Sequence, residues 1–321
     1  MRKFFIMLVA CSCLVAACQK DVQTPVDENL QEVTFDVTIP EVVYTKATTL
    51  GAGERVTQLY YAVYMGTSNE EGYAIERVEP VDAPTQPLTL TDKKASLTLK
   101  LVKNCKYDIV FWAQTPDAPY RFDKDKATLT VTDAYSGALA LANDENRDAF
   151  YAMVDDYVVT SDFKSVPMFR PFAQINFCSN DFERVTELNL PMTSTIEVTK
   201  AEVPSVMNLL TGATESPVPI RFTHSDVPAY SGETVDITID GVSTSCSNLS
   251  MNYVLAGKSS ANITNLIATF NYNDDKVVVN VPNVPYQGNW RTNILVSLLS
   301  NLAVFDIELK PSFLDDHNDN Y

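Results

Sequence analysis

The chain has 321 residues, 45% of them hydrophobic, and a formal net charge of −17 at pH 7. This length is enough for two ordinary domains, each with its own core. A protein this acidic repels phosphate backbones and has no basic run to compensate locally, so the composition excludes nucleic acid as a partner.

The first eighteen residues have the pattern of a bacterial lipoprotein signal. Arg2 and Lys3 form a positive start, an apolar run follows, and Val15-Ala16-Ala17-Cys18 completes a lipobox. In this pattern the cysteine takes a diacylglycerol and the signal peptide is cut just before it. The apolar run is shorter than the roughly 20 residues of a spanning helix. We therefore predict a signal peptide over 1–17 and lipidation at Cys18; the alternative is an ordinary secretory signal.

Three cysteines remain in the predicted mature chain besides the lipidated Cys18. Removal of residues 1–17 takes away two basic residues and no acidic one, so the formal charge changes from −17 to −19. Cys105, Cys178 and Cys246 are far apart in sequence, without the spacing of a disulfide framework. The sequence favours three buried free thiols over one disulfide with one free thiol.

Alternation of apolar and polar residues predicts strands along most of the mature chain. The first strand follows a polar spacer, and its inward face is formed by Val33, Phe35, Val37 and Ile39. Further alternating strands are predicted at 59–64, 97–101, 127–131, 173–177, 235–239 and 305–309. The segments 108–112 and 276–281 are more continuously apolar, as buried sandwich strands are. Polar clusters such as Asp240-Gly241 predict the turns between them.

The pattern of elements predicts an all-β fold. Helical patterning is scarce, and repeated short strands without crossover helices favour antiparallel β-sandwiches. Val166-Pro167 divides the chain into two similar halves. We predict an N-terminal domain over 47–167 and a C-terminal domain over 168–321. Below, the first half means all residues up to 167, including the first strand, and the second half means residues 168–321.

Four blocks of sequence resemble the fimbrillins, or type V pilins, of Bacteroidota. The first joins Thr45-Lys46-Ala47 to residues 59–64, and the second is Asn146 to Tyr151. The third is Arg170 to Phe177, and the fourth is Asn289 to Leu295. The resemblance implies two transthyretin-like β-sandwich domains.

The resemblance also implies a mechanism of assembly. In fimbrillins the first strand fills a groove in the first domain until a trypsin-like protease cuts after a basic residue, and a strand of another subunit then replaces it. Here residues 18–46 are the lipid spacer and removable strand, and Lys46-Ala47 is the cut. An alternating strand at a sheet edge can be replaced by another strand of the same period without a change of fold. The alternative is that Lys46 is a surface lysine and the first strand stays in place.

The last apolar run is the candidate donor strand. Phe305, Ile307 and Leu309 alternate with charged residues. This run can pair within its own half or with the groove of a neighbouring subunit.

The sequence has little material for catalysis or metal binding. His224 and His317 have no second ligand at metal spacing and no nucleophile partner. Asp155-Asp156 and Asp315-Asp316 lack the spaced oxygen ligands of a calcium loop, so solvated acidic turns are the better interpretation. Ten glycines leave little for a phosphate loop. We expect no enzyme, no cofactor and no metal.

The sequence therefore predicts a fimbrial subunit that supports adhesion. It is expected at the outer membrane through its lipid and at the cell surface, with other fimbrial subunits and a trypsin-like protease as partners. The alternative is a stand-alone surface lipoprotein that binds glycan or host protein through exposed aromatic side chains. Trp112 and Trp290 are both expected in the core, because one lies in an apolar strand and the other in the fourth block.

Overall fold

The structure, a computed structural model, describes residues 29–40, 51–69, 72–136, 144–187, 196–224, 234–272, 275–298 and 305–310. These ranges contain nineteen strands, one short helix and one 3₁₀ turn, which confirms the predicted all-β fold. No helix within them is long and apolar enough to cross a bilayer.

The elements of the first half are β1 Leu30–Thr38, β2 Gln58–Asn69, β3 Gly72–Val78, β4 Leu88–Thr89, β5 Lys94–Val102, β6 Lys106–Gln114, β7 Tyr120–Asp123, β8 Thr128–Val131, the 3₁₀ turn Glu145–Arg147, β9 Ala149–Val158 and β10 Phe163–Pro167. Those of the second half are β11 Phe172–Ser179, α1 Phe182–Glu187, β12 Ile196–Asn208, β13 Thr214–His224, β14 Thr234–Ile239, β15 Val242–Leu255, β16 Ser260–Tyr272, β17 Asp275–Gln287, β18 Arg291–Val296 and β19 Phe305–Lys310. All seven predicted alternating strands coincide with strands of the structure.

Two sheets of the first half enclose one apolar core. Sheet A has the order β10-β1-β5, and sheet B has the order β3-β2-β6-β9 with β4 paired to β2. The inward side chains of both sheets form a single cluster, which includes Phe35, Leu97, Leu99, Phe111 and Val166. Two sheets packed face to face over a shared core make a β-sandwich.

The second half contains the other two sheets. Sheet C has the order β17-β16-β12-β8-β7 with β13 paired to β12, and sheet D has the order β14-β15-β11-β18-β19. β7 and β8 precede the predicted boundary, yet β8 pairs with β12 from Val206↔Thr130 to Asn208↔Thr128. Strands of the first half therefore complete a sheet of the second.

Sheet B is covered on both faces. On β6, Ile109 and Phe111 join the core of the first half, whereas Val110 and Trp112 join the larger core of the second half. Apolar residues are therefore needed at successive positions, which is the reason for the continuous apolar run at 108–112. The prediction of a buried strand there is confirmed.

The corresponding prediction at 276–281 is wrong. β17 is an outer strand of sheet C, in which Val279 and Val281 are buried while Val278 is 43% exposed. Its valines reflect the preference of strands for β-branched side chains, and this preference does not distinguish an outer strand from a buried one.

The hairpin between β14 and β15 turns at Asp240-Gly241, as predicted. Both residues have positive φ, 50° and 80°. Two-residue turns of this kind match the twist of the flanking strands, and a glycine adopts the required φ without steric cost.

Candidate functional site

β1 fills a slot between two other strands. It is antiparallel to β5 from Leu30↔Val102 to Thr38↔Lys94 and parallel to β10 from Thr34↔Phe163 to Thr38↔Pro167. The backbone N–H of Thr34 donates to the carbonyl oxygen of Asp162 at 2.8 Å. β1 therefore has hydrogen-bonded neighbours along both edges.

The four predicted residues of this strand lie together on its inward face. Val33, Phe35, Val37 and Ile39 are each 0% exposed. The ring centroid of Phe35 lies 5.8 Å from that of Phe111 and 5.6 Å from that of Tyr157. The slot is thus apolar inside, and β1 supplies part of the core of the first half.

The outward face of β1 is polar. The hydroxyl oxygens of Thr34 and Thr98 are 2.9 Å apart, and the Ser96 hydroxyl donates to Asp36 Oδ1 at 2.5 Å. Cross-strand pairs of this kind fix the register of β1 against β5.

The predicted lipidation and cleavage residues lie outside the described residues. Cys18 belongs to the range 1–28, and Lys46 and Ala47 belong to the range 41–50. Their positions relative to β1 are therefore not described. The described chain stops at Pro40 and resumes at Gly51.

Gly51 is buried and held by side chains from both halves. Its carbonyl oxygen accepts from Arg170 Nη2 at 2.6 Å. Its N–H donates to the two carboxylate oxygens of Glu145, at 3.1 and 3.3 Å. The chain that follows residues 41–50 is therefore fixed at its first described residue.

Arg170 is the centre of this junction. Its Nε and Nη2 donate to the two carboxylate oxygens of Asp148 at 2.5 and 2.8 Å, and both residues are 1% exposed. The guanidinium carbon lies 4.6 Å from the ring centroid of Phe150, and Nη1 donates to Asn289 Oδ1 at 3.5 Å. The second, third and fourth of the blocks that resemble fimbrillins meet at Arg170. Their contacts join the first half to the second.

Glu145 is a partly buried carboxyl in the same junction. Its burial, together with the neighbouring Asp148 carboxylate, raises the pKa of Glu145 from 4.5 to about 7, although the Gly51 N–H and Arg170 act in the opposite direction. Glu145 therefore changes charge near neutral pH, beside the chain that follows residues 41–50.

A row of four polar side chains, three of them buried and one half-buried, crosses sheet D, and sequence reasoning missed it. Asn176 Nδ2 donates to Gln174 Oε1 at 3.3 Å and to Asn293 Oδ1 at 2.9 Å. Asn293 Nδ2 donates to Glu308 Oε2 at 2.9 Å. We call these four residues the polar row. Its only sequence signal is that three of its members lie within the third and fourth blocks.

The candidate donor strand is paired within its own half. β19 is an outer strand of sheet D, antiparallel to β18 with Ile294 opposite Ile307. Ile307 is half-buried and packs against the core of the second half. Of the two pairings that the sequence allows, the single chain has the internal one.

The acidic pair Asp155-Asp156 lies beside a third carboxylate, that of Asp108. The carboxylate oxygens of the three residues lie within 4.8 Å of one another. Asp108 Oδ1 accepts the backbone N–H of Asp156 at 2.9 Å, next to an irregularity in the β6–β9 pairing. Asp155 and Asp156 are exposed, as predicted, but they lie within β9 and not in a turn, so that part of the prediction is wrong. Asp315, Asp316 and His317 lie outside the described residues, and His224 ends β13.

The thiols differ in burial. Cys178 and Cys246 are free and buried, whereas Cys105 is free and only half-buried, so the prediction of three buried thiols is wrong for Cys105. Burial raises the pKa of Cys246 to about 11 and that of Cys178 still further.

The two tryptophans also differ. Trp112 is 0% exposed, and its indole N–H donates to Gln114 Oε1 at 2.7 Å. Trp290 is half-buried, so the expected core position is correct only for Trp112.

Solved structures with similar folds include fimbrial proteins and candidate adhesins. The C-terminally truncated tip fimbrial protein Mfa3 from Porphyromonas gingivalis is similar at a TM-score of 0.46 and 12% identity, over 88% of this chain and 100% of that one. A fimbrial assembly protein from Parabacteroides distasonis is similar at a TM-score of 0.43 and 10% identity, over 88% of this chain and 99% of that one. A candidate cell adhesion protein from Bacteroides uniformis is similar at a TM-score of 0.47 and 12% identity, over 87% of this chain and 98% of that one. The resemblance predicted from the sequence named the same class of protein.

No curated protein matches the chain. Residues 23–321 match a family described as a family of unknown function, DUF6562. The match covers nearly the whole chain, and the protein therefore belongs to the DUF6562 family.

Proposed function

We propose that the chain is a structural fimbrial subunit, exported as a lipoprotein to the cell surface and assembled by protease-triggered strand exchange in support of adhesion. The observation that carries this proposal is β1, which lies in a slot between β5 and β10 with three apolar side chains fully buried and a fourth, that of Ile39, buried directly after its end. Loss of β1 would leave two strand edges open, and such edges recruit another strand.

The proposed order of events begins with the lipid. Cys18 anchors the chain to the outer membrane until a trypsin-like protease cuts between Lys46 and Ala47. The cut separates residues 18–46, including β1, from the body of the protein. The contacts of Gly51 with Arg170 and Glu145 support this step, because they hold the body's side of the cut in place.

The proposed replacement is β19 of another subunit. Its residues Phe305, Ile307 and Leu309 repeat the period of two of the buried face of β1. Side chains of that period enter the apolar interior of the slot, while the alternating charged residues stay on the polar outer face.

The main test compares two chains that differ only in their start. The chain from Ala47 lacks β1 and should form oligomers that grow with protein concentration, measured by light scattering after size-exclusion chromatography. The chain from Asp21 should stay monomeric until a trypsin-like protease is added. If the Ala47 chain is a folded monomer at high concentration, strand exchange is wrong and the stand-alone surface lipoprotein becomes the better explanation.

Point variants test the cut and the donor separately. Lys46→Ala should block conversion of the Asp21 chain, whereas the matched change at the nearby exposed Arg55, Arg55→Ala, should not. Ile307→Asp should impair oligomers of the Ala47 chain, and Ile307→Val should not. Near-ultraviolet circular dichroism of each variant shows whether the fold is retained.

The lipid anchor has its own test. Cys18→Ser should abolish labelling with a palmitate analogue and release the chain from membranes. Unchanged labelling of this variant would contradict the lipoprotein assignment.

A further inference from the structure

Glu308 joins the two outer strands of sheet D. One carboxylate oxygen, Oε2, accepts from Asn293 Nδ2 on β18 at 2.9 Å. The other, Oε1, accepts the backbone N–H of Thr238 on β14 at 2.8 Å. β14 and β19 stand at opposite ends of the strand order of sheet D. The sheet therefore curls until its two ends are bridged by one side chain.

The N–H of Thr238 faces away from the neighbouring strand β15. In an antiparallel pair, alternate residues direct their backbone groups out of the ladder, and on an outer strand these groups have no strand to bind. The Glu308 carboxylate accepts the hydrogen bond from the Thr238 N–H that a further strand would otherwise accept. Hydrogen bonds to a carboxylate are stronger than those between neutral groups.

The contact with Asn293 places Glu308 at the end of the polar row. Asn293 is 0% exposed, stands directly opposite Glu308, and accepts from Asn176 through its amide oxygen. If the carboxylate were removed, the buried Nδ2 group would lose this acceptor, and a buried donor without an acceptor is unfavourable. Displacement of β19 thus removes the hydrogen bond to the buried Asn293 as well as the one to the outer strand β14.

Among the described strands, β19 pairs its backbone with β18 alone, so a side-chain contact on its other side adds to what holds it. It has six residues, and β18 is its backbone neighbour. We propose that Glu308 is a latch, which holds the C-terminal strand β19 in its own half by bridging β18 and β14. The latch goes beyond the proposed function, because it is a property of the single chain and can be tested without assembly.

Hydrogen–deuterium exchange of the full chain tests the latch. Glu308→Ala removes both acceptors, and Thr238→Pro removes only the N–H that faces Glu308, at an outer strand where proline is tolerated. In both variants the amides of β19 and β14 should exchange at least about tenfold faster than in the unaltered chain. The amides of β6 should keep their rates.

Two further variants sharpen this test. Glu215→Ala changes an exposed glutamate on β13, another strand of the second half, and should leave all rates unchanged. Glu308→Gln keeps one acceptor oxygen, so its rates in β19 should lie between those of the unaltered chain and Glu308→Ala. Unchanged rates in β19 for both Glu308→Ala and Thr238→Pro would overturn the latch. Equal acceleration of all strands of the second half would also overturn it, since Glu308 would then contribute only general stability.

Discussion

At the scale of single residues, charge is buried where the two halves meet. Arg170 and Asp148 are each 1% exposed, and Arg147 and Asp133, which form a second pair, are 1% and 6% exposed. Removal of one partner from such a pair leaves a charge without compensation in a low-dielectric interior. Exposed pairs are screened by water and contribute little. Single substitutions at the junction are therefore expected to dominate the stability of the protein.

Arg170→Met tests this expectation. The variant keeps an apolar stem but leaves the Asp148 carboxylate buried without its partner, so the free energy of unfolding should fall by about 3 to 5 kcal/mol. Urea denaturation measures the change. The matched control is Arg184→Met, which breaks the exposed Arg184–Glu187 pair and should leave the midpoint nearly unchanged. Similar losses in both variants would contradict a special role of the junction.

Glu145 makes stability depend on pH. Because the pKa of Glu145 is about 7 in the folded protein and 4.5 ordinarily, the folded state binds the proton more tightly, and its stability falls as pH rises from about 4.5 to about 7. A tenfold change in proton affinity corresponds to about 1.4 kcal/mol, so the loss over the whole range is at most about 3 to 4 kcal/mol. Glu145→Gln should remove this loss, measured by urea denaturation between pH 5 and pH 8. Parallel pH profiles of variant and unaltered chain would contradict the assignment.

At the scale of elements, the strands themselves were predictable because burial alternates along them. The pattern at 33–39 gives the inward face of β1, and the pattern at 235–239 gives β14. The polar row was not predictable, because residue type alone does not reveal that Asn176 and Asn293 stand opposite each other inside a sheet. The pairing of Arg170 with Asp148 was hidden for the same reason, since it depends on how the two halves pack.

Phe35→Ala tests the contribution of β1 to the core. Phe35 is 0% exposed and its ring contacts Phe111 and Tyr157, so truncation should lower the free energy of unfolding by about 3 to 5 kcal/mol. Thr34→Ala, on the outward face of the same strand, should change it by less than about 1 kcal/mol. Urea denaturation of the Asp21 chain gives both values. A small effect of Phe35→Ala would mean that β1 is not part of the cooperative fold.

At the scale of the whole molecule, the two halves share structure. Sheet B contributes to both cores, and β7 and β8 extend sheet C. The sequence suggested a boundary near Val166-Pro167, but composition does not reveal that Val166, Met168 and Arg170 are all buried. The predicted domains 47–167 and 168–321 therefore remain a prediction, and their independence is open to measurement.

Shared structure predicts one cooperative unfolding transition. Calorimetry of the Asp21 chain should give equal calorimetric and van't Hoff enthalpies, as for a two-state protein. Residues 168–321 produced alone lack β7, β8 and Trp112, so they should show weak near-ultraviolet dichroism and rapid amide exchange. Two separate transitions in the whole chain, or a well-folded second half alone, would show that each half is autonomous.

The pairing of β1 restricts the direction in which a replacing strand can insert between β5 and β10. One neighbour, β5, runs antiparallel to it and the other, β10, runs parallel. The two kinds of ladder space their hydrogen bonds differently, so a strand inserted backwards would meet the wrong pattern on both sides. Under strand exchange every subunit would accept its neighbour in one orientation only. Repetition of such a head-to-tail contact builds a polymer with two unlike ends, which grows by adding the same face each time.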